Sequence, residues 1–120
     1  MKVEDVAREV AALLAAGKDE EAAGRFWAPE VRSLEAAGPL PSAEGVEAAR
    51  AKGEAFVAAH EVHAVKVEGP YVHGEQFALH LTYDMTRRES GDRFSFAEVA
   101  LYTVRDGKIA EERFFYPTEG

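Results

Sequence analysis

FSFAEVALYTVRDGKIAEERFFYP, residues 94–117, alternates apolar and polar side chains on both sides of an Asp-Gly pair. It reads as two antiparallel strands joined by a tight turn. Side chains alternate across a strand, so Glu98 shares a face with Phe94, Phe96, Ala100, Tyr102 and Val104. An acid on an aromatic face is costly if that face is dry, because burial without a partner raises its pKa or forces a hydrogen bond. Glu98 is therefore either a satisfied structural group or the working part of a pocket. On the following strand Glu112, Phe114 and Tyr116 share one face, and Glu111, Arg113 and Phe115 the other.

Upstream, the same β pattern continues back to Glu61. Glu89-Ser90-Gly91-Asp92 and His73-Gly74 supply two more hairpin turns, and Phe77, Leu79, Leu81, Tyr83 and Met85 alternate as a core face. Gly69-Pro70 interrupts the first long strand and calls for a bulge or an edge position, since proline cannot donate to a ladder. Before His60 the spacing is helical. Val3, Val6, Val10, Leu13 and Leu14 form one stripe, ended by Gly17. Asp19 is placed to cap a second, short helix carrying Ala22, Ala23, Phe26 and Trp27 to one side; Pro29 stops it, and residues 31–34 form a short strand. Residues 36–45, with Pro39 and Pro41, read as irregular. Ser42 then caps a third helix with the stripe Val46, Ala49, Gly53, Phe56 and Val57. The fold class is α+β: three N-terminal helices on a curved, mainly antiparallel sheet, in the order α-α-β-α-β-β-β-β, as one domain over residues 1–120.

Composition narrows the function. The chain has 120 residues, 47% hydrophobic and 30% charged, with a net charge of −8. That balance argues against nucleic acid or an anionic membrane as partner, both of which need a basic footprint. Without cysteine, thiol catalysis, disulfides and cysteine-ligated zinc are excluded. The start, MKVEDVAREV, is charged and amphipathic rather than a leader or a span, so a cytoplasmic location is expected.

Three stretches are similar to the SnoaL-like branch of the nuclear transport factor 2-like superfamily: the acid-rich second helix running into FWAPEV (26–31), SAEGVEAARAK (42–52), and VRDGKIAEERFFYP (104–117). The resemblance covers essentially the whole chain. It implies a cone-shaped fold with a central pocket between the concave sheet face and the helices. It also implies general acid/base chemistry on a small, mostly apolar substrate, with no metal or organic cofactor, as in polyketide cyclases, ketosteroid isomerase, scytalone dehydratase and limonene epoxide hydrolase. By position, Glu35 falls where ketosteroid isomerase carries its general base. The positions of that enzyme's oxyanion-hole acid and tyrosine fall on Ala100 and Val10, so its constellation does not transfer.

The catalytic candidates are Glu98, Glu35 and His63. Glu98 could serve as general acid or base if burial raises its pKa toward neutrality. Glu35 lies in a loop of the kind that rims a pocket. His63 alternates with Val65 and Val67 and is expected to point inward, either as an acid/base group or as a core histidine. With His60 it forms HEVH, which lacks an evident third ligand for a metal, and no metal site is expected. The ligand-binding candidates are Trp27, Phe56, Phe96, Glu112, Phe114 and Tyr116; Trp27 and Phe56 could instead fill the core, and Tyr116 could close it. Three functions are compatible with this set: a cofactor-independent isomerase, cyclase or hydratase/dehydratase; a pocket that binds a small hydrophobic molecule without chemistry; or a dimeric scaffold. The third draws on Ala97, Val99, Leu101 and Thr103, an outer face apolar enough to bury in a homodimer.

Overall fold

In the computed structural model, which describes residues 1–38 and 41–118, the chain runs α1 (Val3–Ala15), α2 (Asp19–Phe26), β1 (Trp27–Leu34), β2 (Ser42–Glu44), α3 (Val46–Ala59), β3 (His60–His73), β4 (Gln76–Arg87), β5 (Arg93–Arg105) and β6 (Lys108–Phe115). One sheet of six strands has the order β2-β1-β6-β5-β4-β3. Every pairing is antiparallel except β1 with β6, which is parallel. The expected class and element order hold, with one strand added.

That strand comes from a segment expected to begin the third helix. Ser42, Ala43 and Glu44 pair with Leu34, Ser33 and Arg32, and Gly45 caps α3 at φ 88, a conformation that suits glycine. Ser42 is therefore a ladder residue, not a cap. The expected irregularity at Pro39 lies outside the described residues. The second helix also starts differently: Lys18 takes the capping position, and Asp19 lies in the first turn beside Glu20 and Glu21. Trp27 does not end that helix; it opens β1, so Pro29 lies within a strand, where the register against β6 shifts. The end of α1 is as expected. Lys18 N–H donates to Leu13 O at 2.8 Å and Gly17 N–H to Leu14 O at 3.0 Å, with Gly17 left-handed at φ 73, which is the glycine-terminated helix stop.

The core lies under α1. Val6 and Val10 of the helix and Phe77, Leu79, Leu81, Ala100, Tyr102, Val104 and Ile109 of the sheet are all at most 4% exposed. Phe77 stacks on Tyr102 with ring centroids 4.6 Å apart. Burying each large side chain of this set stabilises the fold by roughly 1.5–3 kcal/mol. β3 is one edge of the sheet, β2 being the other, and its pairing with β4 shifts register twice, between Glu68 and Tyr71 around Gly69-Pro70 and between Val62 and Ala64. The Gly69-Pro70 irregularity was expected; the second bulge was not.

Candidate functional site

The two halves of the inner sheet face differ. Toward the β4–β5 hairpin the helical cover passes from α1 to α3, and on the same face Tyr83, Phe94, Phe96 and Glu98 are half-buried, while Met85 stays buried. Register sets Tyr83 opposite Phe96, both half-buried, and joins this half to the buried core: Leu81 stands opposite Glu98, Ala100 opposite Phe114 and Tyr102 opposite Glu112. The result is a recess walled by Tyr83, Phe96, Phe114 and Tyr116, with Phe56 reaching in from α3, its ring centroid 6.1 Å from that of Tyr83. Tyr116 meets Phe96 edge-on at 5.2 Å.

Three carboxyls occupy this recess in three different states. Glu112 is buried and fully engaged: Trp27 Nε1 donates to Oε1 at 2.9 Å and Ser33 Oγ to Oε2 at 2.7 Å. Burial pushes its pKa up, while the two donors favour the charged form. Because Ser33 is the register partner of Glu112, this group ties β1 to β6 across the parallel pairing. Trp27 and Glu112 thus meet at the floor of the recess, each satisfied by protein.

Glu35 follows β1. Lys52 of α3 donates to its Oε2, and the Tyr116 hydroxyl donates to its Oε1 at 3.0 Å. The phenol has a single proton, so it serves either Glu35 or the Ala37 carbonyl at 3.1 Å. Lys52 also lies 5.0 Å above the Phe114 ring, and its side chain is only 13% exposed. Desolvation on the aromatic wall pushes the Tyr116 phenol above its ordinary value.

Glu98 is the third. Its carboxyl is held up to about 8 by burial first and by the negative charge of Glu35 second, against the opposing pull of Lys52. Burial and then the Glu98 charge also push the Tyr83 phenol well above its usual range. Near neutral pH Glu98 can therefore both give and take a proton, while the oxygens of Glu35 and Glu112 are committed to donors on the protein.

His63 is not in the recess. Its Nε2 lies 2.7 Å from Thr86 Oγ1 on the outer face, and its side chain is exposed. The bulge explains the difference. Val62 pairs with Met85 and Ala64 with Asp84, so His63 is the extra residue and the alternation that would have turned it inward is broken there. His60 does face inward, with its Nδ1 against the Phe56 carbonyl at 3.1 Å and its ring 4.7 Å from that of Phe56. The HEVH pair is thereby split between the two faces.

Lys52 was not singled out from the sequence. The helical stripe was read through Gly53, which is exposed, as is Val57. The spacing Ala49–Lys52–Phe56 is as good a stripe, and only the preference for apolar residues hid it. Ser33 carried no signal beyond its place on a strand. Two surface depressions lie elsewhere, one on the outer face near Ala64, Thr82 and Ser95, the other where the N-terminal residues meet the β5–β6 turn. Among the described residues no group of three or more His, Asp or Glu is arranged to hold a metal ion. No described helix is long and apolar enough to cross a membrane.

The family described as the SnoaL-like domain matches residues 1–116. Among solved structures, a protein from Mesorhizobium loti described as a candidate SnoaL-like polyketide cyclase, with carbohydrate phosphatase also in its description, is 44% identical. It aligns over 97% of this chain and 100% of its own, with a TM-score of 0.93. A candidate SnoaL-like polyketide cyclase from Jannaschia sp. CCS1 is 21% identical over 96% of this chain and 88% of its own, with a TM-score of 0.78. A Catenulispora acidiphila protein of ketosteroid isomerase-like fold, in complex with trimethylamine, is 20% identical over 90% of this chain and 85% of its own, with a TM-score of 0.75. No curated protein matches.

Proposed function

The chain belongs to the SnoaL-like domain family, and from that premise we propose that its recess performs cofactor-independent proton transfer, of isomerase, cyclase or hydratase/dehydratase type, on a small hydrophobic carbonyl compound. One observation carries the reading: Glu98 stands on an aromatic face with its carboxyl held up to about 8. A group of that strength exchanges a proton with a carbon acid or a carbonyl oxygen without a large imbalance at neutral pH. Tyr116 can hydrogen-bond a substrate oxygen when it releases Glu35 or Ala37, and Phe96 and Phe114 supply apolar contact. Phosphate ester substrates are disfavoured. Among the described residues of the recess three carboxyls face one lysine, and that lysine is held by Glu35.

Hydrogen–deuterium exchange tests this without knowledge of the substrate. A panel of small enolisable ketones (cyclopentanone, β-tetralone, ethyl acetoacetate) is incubated with the protein in deuterated buffer and read by proton NMR. Loss of α-proton signal with the wild type, reduced by about a hundredfold or more in Glu98→Gln, supports the proposal. Equal rates in both proteins overturn it.

A second reading, a binding pocket without turnover, is favoured by one specific observation. Ala100 and Val10, which fall at the oxyanion-binding positions of ketosteroid isomerase, are 0% and 1% exposed and lie in the core. A recess without preorganised donors for a developing oxyanion binds better than it catalyses. Saturation-transfer NMR signals from the same ketones, without deuterium exchange, would select it. Either reading is compatible with a homodimer through the outer face, where the cross-strand neighbours Val99 and Phe115 are 38% and 48% exposed. Sedimentation of a monomer at micromolar concentration would remove that dimer.

A further inference from the structure

A lysine on the inward side of α3 needs an explanation. Ala49 and Phe56, one turn away on either side, face the sheet, and a methionine at position 52 would fill the same space without the cost of desolvating an ammonium. The Lys52 side chain is 13% exposed, crosses the Phe114 ring and ends on Glu35. Tyr116 takes the other oxygen of the same carboxylate. One Glu35 oxygen thus accepts from Lys52, which a proton there would displace, and the other accepts from Tyr116 when that phenol is not turned to the Ala37 carbonyl. Glu98, on β5, has no such partner among the described residues: burial and the neighbouring charges of Glu35, Lys52 and Glu112 account for its behaviour.

Resting on the proton-transfer reading above, we propose that Lys52 is a positioning residue. By holding Glu35 as the ionised acceptor it leaves the transferable proton to Glu98, so that two otherwise similar acids are given opposite tasks. The groups facing this pair come from every element around the recess: Glu112 from β6, Tyr83 from β4, Tyr116 beyond β6, and Lys52 from α3, the cation among the described groups acting on Glu98. The Lys52 charge also reaches Glu112, but that carboxyl is already bonded by Ser33 and Trp27.

The test is a carboxyl carbon-13 NMR titration of wild type, Lys52→Met, Lys52→Arg and Glu35→Gln, with the Glu98 signal assigned by its loss in Glu98→Gln. Lys52→Met keeps the stem and deletes the charge, and it should raise the Glu98 midpoint by about one pH unit. Glu35→Gln should lower that midpoint, and Lys52→Arg should leave it in place. A merely structural lysine behaves differently: its loss loosens the recess, hydrates Glu98 and lowers the midpoint in Lys52→Met. A midpoint that is unchanged or lowered in Lys52→Met overturns the proposal. Should that variant fail to fold by circular dichroism, Lys52→Gln carries the same expectation. None of these signals requires turnover, so absence of deuterium exchange would sink the proton-transfer reading without touching this measurement, and the reverse also holds.

Discussion

The two halves of β5 follow one alternation and meet two different environments. In the half nearer the β5–β6 turn, Ala100, Tyr102 and Val104 are 0%, 4% and 3% exposed beneath α1. In the other half, Phe94, Phe96 and Glu98 point the same way and are only half-buried. A strand propagates the direction of its side chains but not their dryness, which depends on what crosses above them. α1 brings small and branched apolar residues, Val6, Ala7 and Val10, close against the closed half. α3 brings Lys52 and Phe56 over the open half, where the carboxyls collect. The comparison teaches that the dry core and the titratable groups are divided along the length of the same strands.

That division can be broken from either end. The largest effect is expected at the closed end: Leu79→Ala, at a position 0% exposed, should cost roughly 2–5 kcal/mol by denaturant unfolding and leave the Glu98 titration in place if the variant folds. Next comes the pH dependence of stability at the open end. The folded value of Glu98, about 8, lies above its ordinary 4.5. The native state then keeps a proton that the unfolded chain has released between those two values, and its stability falls as pH rises through that window. Wild type should lose on the order of 2 kcal/mol relative to Glu98→Gln between the two limits, the recess being partly wet. If the two proteins show parallel stability curves, the open half does not hold Glu98 as described. Tyr116→Phe should be milder, at about 0.5–1.5 kcal/mol from the lost hydrogen bond to Glu35 or Ala37, measured the same way. The smallest effect is expected for His63→Ala on the outer face, within about 0.5 kcal/mol of wild type and with deuterium exchange unaltered. A marked loss of exchange there would return that histidine to the site.

Much of the site could be read in advance, because a carboxylate amid alternating aromatics is visible in one dimension. Glu98 and its face needed only the period of a strand, and Glu35 came into view through family resemblance. His63 failed for a local reason: one extra residue in β3 inverts the alternation, and nothing about Val62, His63 or Ala64 marks it as a bulge. Lys52 failed for a different reason. An inward lysine contradicts the apolar stripe by which helices are read, and its partner Glu35 is seventeen residues away along the chain. Glu112 was expected to touch ligand, whereas the structure gives both of its oxygens to Trp27 and Ser33 through a parallel pairing of β1 with β6. Ser42 failed because a serine before a helix serves equally as a cap or as the end of a short strand.

What the sequence determined by itself was periodicity: the helical stripe of α1, the succession of hairpins, and which residues share each face of β4, β5 and β6. These follow from backbone geometry, which repeats locally and leaves its period in the chain. The tertiary structure alone decided which part of a face is dry, which acid is paired by protein donors and which is not. Those properties arise from charges and donors brought together across the fold from α3, β1, β5 and β6, and their energies depend on distance in space and access of water, neither of which is written along the chain.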